Sequence, residues 1–94
     1  MKLSKNLSKK IVGSERFLSL PESAQALYFV MVFIADNNGF VTLPTQLAGD
    51  IDTKILCDIG YVKPLAFHEN IFQIADWQEH KDGEIYTLEF KRGD

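Results

Sequence analysis

PESAQALYFVMVFIAD, residues 21–36, is the stretch on which the reading of the fold turns. Pro21 stands where a helix can begin, and Glu22 and Ser23 suit its first turn. From Leu27 to Ala35 every residue is apolar. Ala24, Leu27, Tyr28, Met31 and Ala35 make one helical face, and Ala26, Phe29, Val30 and Phe33 make the opposite one. A surface helix normally shows one apolar stripe, so a helix apolar all round predicts a central beam covered from several sides. The run is far short of the roughly 20 residues that a membrane span needs, so no membrane partner is expected.

Working outward, Asn38 and Gly39 suit the left-handed close of the helix. FVT at 40–42 predicts a short strand. TLPTQLAGD predicts a very short helix with Thr42 as cap, Pro44 in the first turn and Gly49 as stop. DIDTKILCDIG predicts another, capped by Asp50 or Asp52, with Ile55, Leu56 and Ile59 inward and Gly60 at the end. YVKPLAF, HEN and IFQIADW then read as strand, turn and strand, with Pro64 marking the first as an edge strand or one that carries an irregularity. Tyr86, Leu88 and Phe90 alternate with Ile85, Thr87 and Glu89 in a possible further strand.

Helix, strand, two short helices and hairpin together predict a small α+β domain of winged helix-turn-helix type. It has three helices, a β-hairpin wing and a possible extra C-terminal strand. Residues 1–16 form a basic N-terminal arm, 17–80 the winged-helix domain, and 81–94 a C-terminal strand or tail packed on it. With 46% hydrophobic and 12% aromatic residues in 94, the chain can fill one core and is not disordered. Cys57 is the only cysteine, which precludes an intrachain disulfide and suits a small buried hydrophobe. No apolar stretch follows the N-terminal lysines, so no leader is expected and the cytoplasm of a bacterial host cell is the natural setting.

The net charge of −3 conceals an asymmetry. Residues 1–16 carry Lys2, Lys5, Lys9, Lys10 and Arg16 against Glu15, a balance of +4, whereas residues 17–94 balance at −7. Nucleic-acid binders draw most of their affinity from basic surface, and only the arm looks like one.

From about residue 8 to residue 80 the chain resembles the N-terminal winged-helix domain of phage replisome organisers. These are DnaD-like replication initiation proteins of phages from low-GC Gram-positive bacteria. The residues that carry the likeness are SKKIVGSERFLSLPESAQALYF, then AD at 35–36, GFV at 39–41, Pro44, GYV at 60–62, and DWQEH with Trp77 and His80. The resemblance implies origin-DNA binding by this domain and recruitment of helicase-loading partners by a further C-terminal region. The segment 39–60 is shorter than the family pattern and carries Lys54 among Asp50, Asp52 and Asp58. Val30, Val32 and Ile34 stand where the family keeps polar residues.

The candidate contacts to duplex DNA are Lys5, Lys9, Lys10 and Arg16 of the arm, Thr53 and Lys54 of the third helix, and Lys63, His68 and Asn70 of the wing. Set against that are a structural helix with a solvated acidic face, a plain exposed turn and a solubilising terminus. Val30, Val32 and Ile34 are the candidate partner-binding residues. Three exposed β-branched residues forgo several kcal/mol at about 25 cal/mol per Å², so a cover is expected. The strand around Tyr86, Leu88 and Phe90, a second copy in a homodimer, or a host or phage protein would each supply it.

Trp77 is expected to pack its indole on the central helix and His80 to finish a strand end with a hydrogen bond. Cys57, His68 and His80 lack the close spacing of a zinc site. There is no glycine-rich phosphate loop and no nucleophile–base pair, so the chain is expected to be a non-enzyme without cofactor or metal. Two functions remain open. One is a winged-helix DNA-binding module for phage replication. The other is a scaffold that has lost DNA and binds protein, as an anti-CRISPR-like inhibitor of a host nucleic-acid enzyme or a replication modulator.

Overall fold

The apolar run forms the helix α3 (Glu22–Ile34), and the core packs against one side of it rather than covering it from several sides as expected, since Ala26, Val30 and Ile34 are exposed. The computed structural model describes residues 2–66, 68–82 and 85–91, with side chains for 6–66, 68–82, 85 and 86. Before α3 come β1 (Lys2–Ser8), α1 (Lys9–Val12) and α2 (Glu15–Leu18). After it come β2 (Phe40–Thr42), α4 (Thr45–Ala48), α5 (Ile51–Ile59), β3 (Val62–Pro64), β4 (Ile71–Ile74), α6 (Glu79–Asp82) and β5 (Ile85–Lys91). The described residues thus make an α+β domain of six helices and two small antiparallel sheets.

Helix α3 starts on Pro21, whose carbonyl accepts from the amides of Ala24 and Gln25. Its end differs from the expectation. Ala35 is already extended, and the left-handed Gly39 (φ +83°) belongs to a separate turn. Asp36 builds that turn, its Oδ1 accepting from the amides of Asn38 and Phe40. Glycine is needed there for a second reason. A Cβ at residue 39 would lie 2.7 Å from Cγ of Trp77, which packs on that turn and donates its indole N–H to Asn37 O. Trp77 therefore covers the turn after the central helix.

One sheet has the order β2-β4-β3, so β3 with Pro64 lies at an edge, as the missing amide of proline requires. Register puts Val41, Phe72 and Pro64 in one row and Phe40, Gln73 and Lys63 in the next. Val41 and Phe72 of the first row, with the paired Val62 and Ile74, face inward and are all buried, whereas Pro64 at the edge is exposed. The second sheet is a two-stranded ribbon, β1 with β5, running from Lys2↔Lys91 to Ser8↔Ile85. The strand expected near the C-terminus therefore exists, and its partner is the basic segment itself.

The core gathers on one side of α3. Ala24, Tyr28, Met31, Val32 and Ala35 meet Phe17, Leu20, Leu43, Leu56 and the inner face of the three-stranded sheet. Phe17 is its aromatic centre, with ring centroids 5.3 Å from Tyr28, 5.6 Å from Phe29 and 5.7 Å from Tyr61, all edge-to-face. Ser14 fixes Phe17 in place by capping α2, its hydroxyl accepting from the Phe17 amide. Thr42, expected to cap α4, lies in β2 instead, and Pro44 takes the N-cap position.

Candidate functional site

The helix α5 is built as a short, well-terminated unit. Asp50 caps it by accepting from the Ile51 amide, and Gly60 closes it at φ +96° with its amide donating to Leu56 O and Cys57 O. Thr53, expected to face DNA, is 1% exposed, and its hydroxyl donates to Leu47 O at 2.6 Å. That bond ties α5 to α4 and removes Thr53 from any outside contact. The outward face of α5 is instead Ile51, Lys54 and Asp58, with Ile51 68% exposed. One cation among Asp50, Asp52 and Asp58 gives this face little attraction for phosphate.

The arm residues are not a loose basic extension. Lys9 holds its ammonium 5.0 Å from the centroid of Tyr86, on the opposite strand. Arg16 donates to Ile59 O and stacks over Tyr61 at 5.1 Å, strapping α2 to the end of α5. Lys10 is exposed and lines an open cleft of about 350 Å³ with Ile11, Ser14, Arg16, Tyr61, Asp76 and Glu79. Asp76 adopts φ +54°, an uncommon backbone state for a residue with a side chain. Two cations and two carboxylates thus line the cleft. The side chains of Lys5, Leu88 and Phe90 lie outside the described residues.

At the wing, Lys63 is exposed on the edge strand β3. His68 is exposed, and Asn70 is half-buried with its carbonyl accepting from Leu43 N at 2.8 Å. Lys54, Lys63 and His68 are therefore free to reach outward, while Asn70 helps to hold the loop between β2 and α4.

The central helix divides the three aliphatic candidates. Val32 is fully buried (0% exposed) and belongs to the core, so it has no part in partner binding. Val30 and Ile34 are 49% and 50% exposed. The β1–β5 ribbon pairs within itself and leaves both in the open. Spaced i, i+4 and i+8, Ala26, Val30 and Ile34 form a single outward stripe. The stripe begins at Ser23, whose hydroxyl donates to Asp52 of α5 at 2.9 Å.

The most complete polar constellation was not foreseen as one. His80, on α6, is buried and accepts the Ser8 amide at Nδ1, 2.8 Å away. An acceptor at Nδ1 means the neutral ring carries its proton on Nε2, which then donates to the Tyr28 hydroxyl oxygen at 2.8 Å. Three elements meet there: β1, α3 and α6. Burial lowers the His80 pKa, with Asp76 and Glu79 pulling it partly back, and burial raises that of Tyr28. Both groups are held neutral, as befits a structural hub. Half-buried Cys57 has its thiol pushed up by burial and then by Asp58, which disfavours the nucleophilic thiolate.

Among the described residues no group of three or more His, Cys, Asp or Glu is placed to hold a metal ion. No helix among them is long and apolar enough to cross a membrane. No family model matches the chain, and no curated protein or solved structure matches it either.

Proposed function

We propose that the chain is a winged-helix domain, of the replication-initiation type its sequence resembles, that works as a protein-binding module. The winged-helix assignment is supported by the order α3, β2, α4, α5, β3, β4 and by a three-stranded sheet in the order β2-β4-β3. In such a domain α4 and α5 are the helix-turn-helix and β3–β4 the wing. The loss of a DNA-reading role is supported by the helix that would enter the groove. It buries Thr53 and presents Lys54 as its one residue of a base-reading type, beside Ile51 and Asp58.

The observation that carries the protein-binding role is the open apolar stripe of α3. Val30 and Ile34 stand half-exposed on a helix with no charged residue between Glu22 and Asp36. Ile51, next to the Asp52 that Ser23 binds, adds apolar surface where the stripe begins. Apolar surface arranged along one helix face is what a partner buries. The domain acts by binding, without catalysis or cofactor. Its test is retention of a specific protein on the immobilised chain from a bacterial lysate. The Val30→Lys variant, still folded, should retain none of it, and retention equal to wild type would refute the role.

A second reading, duplex-DNA binding, is favoured by the outward reach of Lys10, Lys54, Lys63 and His68. A gel-shift salt series separates the two. Binding at about 50 mM salt that fades steeply with added salt supports DNA contact, and none at that salt ends it.

A further inference from the structure

The β1–β5 ribbon forms a sheet of its own, apart from β2-β4-β3. A two-stranded ribbon is marginal in water by itself, so this one depends on what docks it. Of its described side chains, Leu7 and Ser8 are buried, Ile85 is half-buried, and Asn6 and Tyr86 are exposed. Docking is thus concentrated at one end of β1. There Leu7 joins the core, and the Ser8 amide donates to Nδ1 of His80.

We propose that His80 is a proton-operated latch, whose neutral ring docks the ribbon and whose protonation releases it while the core around α3 stays folded. The ring holds two partners at once, Ser8 of β1 through Nδ1 and Tyr28 of α3 through Nε2. With the Nε2 position already carrying hydrogen, a second proton can go only to Nδ1. It sets N–H against N–H across 2.8 Å and puts a charge on a residue that is 1% exposed. The bond to Tyr28 is indifferent to that proton, because Nε2 donates in either form. The repulsion therefore falls on β1 and not on α3. Movement of the ribbon end relieves it and brings the charged ring into water.

Among the described residues, the titratable groups that face the ring are the Tyr28 phenol from α3 and the carboxylates of Asp76 and Glu79. The end of β1 brings Leu7 and Ser8, neither of them charged. The nearby cations are directed elsewhere. Lys9 lies over the Tyr86 ring, Lys81 donates to Asn37 O, and Lys10 lines the cleft with Asp76 and Glu79. Asp82 accepts from the Gln78 side chain. Burial lowers the pKa of the closed ring, with Asp76 and Glu79 drawing it partly back. Opening relieves the burial, so protons favour the open form.

Hydrogen exchange of the full chain, followed by NMR from pH 7.5 to pH 5 and expressed as protection factors, tests this. At pH 7.5 the cross-strand amides of β1 and β5 should be at least about tenfold less protected than those of Leu43 and Ile74, which bond to Asn70 O and Gly39 O. About 1 M urea should leave ribbon protection nearly unchanged and lower that of Leu43 and Ile74, because only the latter exchange by exposing the whole core. By pH 5 the ribbon's opening constant should rise at least about threefold. The ceiling is about thirtyfold, for a ring that takes up its proton at the ordinary 6.5 only when open. The Cε1–H resonance of His80 should titrate below 6.5 in the same series. His80→Asn, whose Oδ1 can accept the Ser8 amide but does not titrate, should hold the opening constant level. Ribbon amides as protected as Leu43 and Ile74 would overturn the proposal, since the ribbon would then have no opening of its own. So would a rise of less than threefold, a His80 midpoint at or above 6.5, or an equal rise in His80→Asn.

Discussion

The helices α3 and α5 carry comparable apolar residues and bury them to different ends. Helix α5 keeps Leu56 and Thr53 inside, lets Ile55 and Ile59 lie half-covered, and turns Lys54 and Asp58 to solvent. It is an ordinary amphipathic helix with one aliphatic residue, Ile51, out of place. Helix α3 has no polar face between Glu22 and Asp36, yet its burial is as one-sided as that of α5. Ala24, Tyr28, Met31 and Val32 are core, while Ala26, Val30 and Ile34 are outside. A polar face facing water needs no further explanation. An apolar face in water costs about 25 cal/mol for each Å² left uncovered, and that cost is the physical ground for an interface.

The sharpest way to break this contrast is to truncate both sides of α3. Met31→Ala removes a fully buried side chain and should cost about 2–5 kcal/mol in urea unfolding. Val30→Ala, one residue earlier, should change stability by no more than about 0.5 kcal/mol. Equal costs would mean that the two faces are equally packed.

Next in size is the hub that ties the β1–β5 ribbon to α3. His80→Phe leaves the buried Ser8 amide without its acceptor and should cost about 1–3 kcal/mol. The same residue sets a pH dependence with a definite sign. Its folded pKa lies below the ordinary 6.5, because burial favours the neutral ring. The unfolded chain therefore binds a proton more readily. The stability due to His80 is complete above pH 6.5 and falls as pH drops from there towards the lowered folded value. Protonation at Nδ1 would also set N–H against the Ser8 N–H. Unfolding midpoints between pH 8 and pH 5 should show a decline in wild type that His80→Phe flattens.

Smaller effects belong to the ends of α5. Asp50→Ala removes a cap and should cost about 0.5–2 kcal/mol. Gly60→Ala meets no neighbouring atom within 4 Å, so its cost is backbone strain alone, about 1 kcal/mol. Thermal melts of the two variants check both values.

Much of the chain is legible because local chemistry fixes it. Pro21 starts α3, Asp50 and Gly60 bracket α5, and Pro64 sends β3 to an edge. The pairing of β1 with β5 joins residues more than 70 positions apart. Nothing near Lys2–Ser8 specifies that partner, so the segment reads as an arm. Thr53 misleads for a related reason. A hydroxyl suggests solvent, but its bond to Leu47 O lets it sit in the core at the α4–α5 turn. Val32 was grouped with Val30 and Ile34 by residue type. An angular plot at 100° per residue places it with Tyr28 and Ala35, on the other side. The same plot sets Ile51 beside Lys54 and Asp58, which is the signal that marks it as outward.

The central claim is that two adjacent residues of α3, Val30 and Met31, belong to opposite worlds. Native-state thiol labelling of Val30→Cys and Met31→Cys, each in a Cys57→Ala background at about 5 µM, tests it most directly. The account predicts prompt modification at position 30 and, at position 31, a rate limited by unfolding. Similar rates at the two positions would contradict it.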